Sequence, residues 1–88
     1  MKIEVTQDDI DEGVQGSMSL CPIARALKRH FPEGSSIRVG GGRAFVDGVV
    51  YQLPHEARIF VKLFDIGWTS SPFAFELTKN PYFLAVIV

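Results

Sequence analysis

The sequence predicts an α+β domain with two main helices and a small mixed or antiparallel sheet of about five to six strands, in the order β-α-β-β-β-α-β-β. Three observations carry that prediction. Residues 20–31 and 54–66 repeat apolar side chains at helical spacing, whereas residues 2–5, 36–53 and 73–77 alternate them at strand spacing. Asp47-Gly48 lies between two alternating runs and is the strongest hairpin signal in the chain. The 88 residues are 47% apolar, with seven Phe, two Tyr and one Trp, which suits one core and one domain over 1–88.

Ile3 and Val5 alternate with Lys2, Glu4 and Thr6, the pattern of a short half-buried strand. Thr6 followed by Asp9 resembles a capping box, so residues 7–12 read as a brief helical turn ending at Gly13. In the next segment Leu20, Ile23, Ala24, Leu27 and Phe31 share one helical face, and Arg25, Lys28 and Arg29 share the other. Ser19 is the expected cap, Pro22 fits the first turn, and Pro32 and Gly34 end the helix. Residues 35–53 read as a three-stranded meander. A type I′ turn at Asp47-Gly48 sets Val46 opposite Val49 and Ala44 opposite Tyr51. A loop of residues 40–43 places Ile37 and Val39 on the core face with Ala44, Val46, Val49, Tyr51 and Leu53, and a loop one residue shorter splits that set. Arg38, Phe45, Val50 and Gln52 then take the opposite face, with Arg43 at the loop edge.

Pro54 opens the second helix and Gly67 ends it. Ala57, Phe60, Val61 and Phe64 form its apolar face, which Ile59, Leu63 and Ile66 widen to roughly 220°. His55, Arg58, Lys62 and Asp65 make the polar stripe. Such a helix is expected to be covered on two sides, so Ile59, Leu63 and Ile66 are assigned to a homo-oligomer interface, with the apolar terminal strand as the alternative contact. After a loop containing Trp68, Phe73, Phe75 and Leu77 alternate as a strand, Thr78–Pro81 reads as a turn, and Tyr82–Val88 closes the chain as a continuous apolar strand.

Net charge is −1, unevenly spread. Acids Glu4, Asp8, Asp9, Asp11 and Glu12 crowd the start, while Arg25, Lys28, Arg29, Arg38 and Arg43 follow. This bipolar pattern argues against duplex DNA bound through many phosphates and leaves a local anion site open. One cysteine excludes an internal disulfide, the opening residues do not read as a signal peptide, and the apolar end is too short for a membrane-spanning helix. A cytoplasmic protein is expected.

No metal or cofactor is expected, because there is no Cys-x-x-Cys, no His pair at ligand spacing and no calcium-type loop. The acidic cluster reads as a solvated turn. Cys21 has only His30 and His55 as conceivable bases, so it reads as a half-buried structural thiol and the chain as a non-enzyme. Gly40, Gly41 and Gly42 are the most suggestive feature, since glycine amides approach a phosphate closely and Arg38 and Arg43 would clamp it, with Phe45 for stacking. The pattern is neither a Walker loop nor a dinucleotide fingerprint, and a plain flexible hairpin loop is the commoner explanation of such glycines. Arg25, Lys28 and Arg29 form a basic face that is more often simply solvated but could meet an acidic partner, and Trp68 is either an interface anchor or a plug over the core.

Val5-Thr6-Gln7 with Ile10, Gly16-Ser17, Cys21-Pro22-Ile23-Ala24, Leu53-Pro54, Glu56-Ala57-Arg58 and Pro72-Phe73-Ala74-Phe75-Glu76-Leu77 together resemble a type of small accessory protein carried by tailed bacteriophages and prophages. The resemblance implies expression in the bacterial cytoplasm and transfers no catalytic residue. Proteins of that class often antagonise host defences, by blocking an immune effector or by sequestering a nucleotide signal. The expectation is therefore a non-enzymatic binding protein. A nucleic-acid-binding regulator using the basic helix 20–31, or a structural or assembly protein, is the alternative.

Overall fold

The computed structural model describes residues 1–68 and 70–79. The chain runs β1 (Lys2–Val5), α1 (Gln7–Glu12), α2 (Pro22–His30), β2 (Ile37–Gly40), β3 (Arg43–Val46), β4 (Val49–Gln52), α3 (His55–Asp65), β5 (Phe73–Glu76) and β6 (Thr78–Lys79). The fold is α+β, as the sequence predicts. The strands form two antiparallel sheets rather than one, β1-β5 and β2-β3-β4-β6. Alternation reveals which face a strand buries, not which strand lies beside it. The partner of β1 lies at the other end of the described chain, with Ile3 opposite Phe75 and Val5 opposite Phe73.

The capping box at Thr6 is present. Thr6 Oγ1 accepts from the Asp9 amide at 3.3 Å, and Asp9 Oδ2 accepts from the Thr6 amide at 2.9 Å. Asp9 departs from the expected solvated turn, for its side chain is fully buried. Its negative charge is met by Arg29, described below.

The first long helix starts later than the apolar spacing suggests. Cys21, not Ser19, is its cap, and Leu20 lies outside it, exposed. Pro22 explains the shift. The residue before a proline is driven to extended backbone, and Cys21 sits at φ −67°, ψ 163°. Ile23, Ala24, Ala26 and Leu27 are buried, and Phe31 just beyond the helix packs on Tyr51 with ring centroids 5.7 Å apart.

The meander has the predicted faces. Val39 pairs with Ala44 and Ile37 with Val46, so a tight Gly41-Gly42 turn closes on the Gly40–Arg43 pair. Val46 opposes Val49 across Asp47 (φ 49°) and Gly48 (φ 82°), the two left-handed residues of a type I′ turn. Ile37, Val39, Ala44, Val46, Tyr51 and Leu53 face the core.

Pro54 opens α3 as its cap. The helix buries only Ala57, Phe60 and Phe64. Phe60 meets Phe73 at 4.7 Å, and Phe73 stacks on Phe75 at 5.7 Å, joining α3 to the two-stranded sheet. Thr78 and Lys79, expected in a turn, instead form β6 against Gln52 and Tyr51. The predicted strand Tyr82–Val88 falls outside the described residues.

Candidate functional site

The predicted anion-binding set divides between two hollows on opposite faces of the four-stranded sheet. Arg38 and Phe45, directly paired across β2 and β3, line the outer one with Met18, Ser36 and Gly48, in a volume of about 430 Å³. Arg43 lies half-buried on the same outer face as Phe45 and lines neither hollow. Gly40, Gly41 and Gly42 line the inner hollow, about 320 Å³ in volume, under α3. Its other walls are Val39, Leu53 and Val61, with Arg58 and Lys62 from the helix. The glycines therefore meet two cations, but not the two adjacent in sequence.

The turn accounts for that arrangement. Gly41 and Gly42 sit at φ 60° and 77°, the left-handed region where glycine is free of strain. Arg58 packs so tightly over the turn that a Cβ on Gly42 would stand 2.9 Å from its Cδ. Arg58 and Lys62 are one helical turn apart, both exposed, and neither has a hydrogen-bond or ion-pair partner among the described residues. Their place in the polar stripe of α3 is legible from the sequence. That the stripe borders the glycine turn is not, because it depends on how the helix lies on the sheet.

The basic face of α2 is largely engaged within the molecule. The Arg29 guanidinium grips both oxygens of Asp9, Nη1 on Oδ1 and Nη2 on Oδ2 at 2.7 Å, and Nη2 also donates to the Glu4 carbonyl at 3.0 Å. Arg25 Nε lies 3.9 Å from Asp9 Oδ1, and Lys28 Nζ donates to the Ser19 carbonyl at 2.6 Å. Burial alone would push the Asp9 carboxyl up. The hydrogen bond and charge of Arg29, with the Thr6 bonds, outweigh it and hold Asp9 below the ordinary carboxylate range.

Cys21 is buried rather than half-buried, and its Sγ accepts the Ala24 amide at 3.4 Å as the cap of α2. Burial pushes its thiol up, away from thiolate. Among the described residues no group of three or more Asp, Glu, His or Cys is placed to hold a metal ion. No helix there is long and apolar enough to cross a membrane.

The residues assigned to an interface share one exposed region. Ile59 and Leu63 are each 39% exposed, Ile66 69% and Trp68 65%, so Trp68 is no core plug. The loop 13–20 is tied to the same helix end, with Gln15 Nε2 donating to the Phe64 carbonyl at 2.9 Å and the Gly16 amide to Asp65 Oδ1 at 3.0 Å. That loop carries exposed Val14, Met18 and Leu20. Four of the eight large apolar side chains left exposed among the described residues thus lie on α3 or just after it, and Val14 and Leu20 lie on the loop bound to its end, whereas Met18 turns to the outer hollow. Single exposed apolar residues need no explanation, but a gathering of them marks a contact surface.

These features define a small α+β protein with an apolar, basic-rimmed helix face and a glycine-walled cleft beside it. No family model, curated protein or solved structure matches the chain.

Proposed function

We propose that the chain is a non-catalytic binding protein that docks through the free face of α3 onto a partner protein whose apolar patch is rimmed by carboxylates. The observation that supports this most is the concentration of exposed apolar side chains around Ile59, Leu63, Ile66 and Trp68, flanked by Arg58 and Lys62. Glu56 is the acid on the other flank, and Asp65 is tied to the Gly16 amide. Aromatic and aliphatic anchors with a charged rim are the usual anatomy of such interfaces. An antiparallel two-fold pairing of α3 with a second copy would set Lys62 toward its own equivalent, so charge favours an acidic partner over self-association. The resemblance to phage accessory proteins supplies the setting, a bacterial defence effector whose working surface is covered.

Two measurements test the reading. Light scattering of the pure chain at tens of micromolar, a concentration of the order of typical interface affinities, should give a monomer. A dimer that Leu63→Glu dissociates would hand the face to a second copy. Phage plating on bacteria carrying a panel of defence systems should be restored by the wild-type chain in at least one system. Ile66→Glu, with an unchanged melting temperature, should not restore it. Equal rescue by both chains, or rescue in no system, overturns the proposal.

A further inference from the structure

The cleft beneath α3 takes Arg58 and Lys62 from the rim of the docking face and adds to them an apolar floor and a glycine wall. We propose that it binds a small phosphate monoester carried on a flat apolar body, the class of the nucleoside monophosphates. The inference does not rest on the docking reading, although both sites use the same two cations.

Three features of the cleft point to that class. Its floor is apolar, formed by Val39, Leu53 and Val61, and suits a ring that leaves water. Its rim carries Arg58 and Lys62, two cations with no partner among the described residues. Its third wall is the Gly41-Gly42 turn, open at Gly41, where nothing stands within 4 Å of an added Cβ, and overlain at Gly42 by the Arg58 side chain. The Gly42 carbonyl accepts from the Leu53 amide at 3.2 Å, whereas the Gly41 and Gly42 amides donate to nothing among the described residues. Free amides beside two cations suit a doubly charged tetrahedral anion better than a single carboxylate. The volume of about 320 Å³ is at the small end for ligand pockets, room for one nucleotide-sized molecule and too little for an oligonucleotide.

Titration calorimetry with adenosine monophosphate, adenosine and inorganic phosphate, paired with amide NMR shifts, tests the proposal. Adenosine monophosphate should bind below about a millimolar dissociation constant, and more tightly than adenosine or phosphate alone. Shifts should centre on Gly41 and Gly42. Lys62→Gln, at an exposed position, should weaken binding about tenfold with no change in melting temperature. Trp68→Ala, which removes an exposed docking anchor without adding charge, should bind the nucleotide as wild type does, which separates this site from the docking face. Millimolar or weaker binding, indifference to Lys62→Gln, or shifts centred on Arg38 and Phe45 would each overturn it.

Discussion

Asp9 shows how one side chain can decide the behaviour of a segment. It is buried and ionised, and it holds α1 to α2 by accepting from Arg29 and from the Thr6 amide. Removing its charge leaves the Arg29 guanidinium without its counter-ion. Because Arg29 is itself half exposed, the loss sits below the range for a fully buried pair, at about 2–3 kcal/mol. Asp9→Asn should show that loss in urea unfolding at neutral pH. The pH dependence follows from the lowered carboxyl. The contribution of Asp9 is present above the unfolded value near pH 3.9 and is lost as pH falls through the depressed folded value. The gap between wild type and Asp9→Asn should therefore close in strong acid, and a gap that persists at the lowest pH where both still fold would refute the assignment. Cys21 makes the opposite case. Its thiol is a buried cap with a raised pKa, so a thiol reagent should label it only on unfolding. Cys21→Ser keeps an acceptor at the cap and should cost no more than about 1 kcal/mol, with binding intact. The role of Asp9 is not legible in the sequence, because a run of acids looks solvated and only the fold brings Arg29 over it.

At the scale of elements, the meander was legible and the placement of the helices was not. Asp47-Gly48 and the single buried face of Ile37, Val39, Ala44 and Val46 leave one workable register, and the structure adopts it. The start of α2 could have been read from Pro22, since a proline disfavours helix at the residue before it. The wide apolar arc of α3 was also legible, but its division was not. Ala57, Phe60 and Phe64 face the core while Ile59 and Leu63 face out, a choice made by where Phe73 sits. The same contingency separated Gly40–Gly42 from Arg38 and Phe45. The type I′ turn offers a clean measurement of local cost. Gly48 has φ 82° and only open space where an added methyl group would stand, so Gly48→Ala meets backbone strain alone. It should lower stability by about 1–2 kcal/mol in denaturant melts and leave nucleotide binding at the far end of β3 unchanged.

At the scale of the whole molecule, the question is whether the two sheets fold as one unit. The β1-β5 pair closes the chain on itself, with the amino terminus on Glu76 at 2.9 Å and the Leu77 amide donating to the Met1 carbonyl at 2.8 Å. Exposed contacts of this kind hold little energy. The stronger link is α2, which contacts both β1 and β2, so Ile3, Val5, Ile23, Leu27, Ile37 and Val39 belong to one continuous core. A chain of 88 residues has a total stability of about 4–13 kcal/mol. Ile3 is 1% exposed, and truncating a buried isoleucine to alanine costs about 2–5 kcal/mol. Ile3→Ala thus removes a large share of the whole. If the core is shared, guanidinium melts of this variant followed by far-UV and near-UV circular dichroism should coincide in one transition at a lowered midpoint. A separate early transition, with the β2-β3-β4 meander still folded, would instead make β1 and β5 a detachable clasp. The shared core argues for the single transition, because losing β1 uncovers residues of α2 that belong to the same buried cluster as Ile37 and Val39.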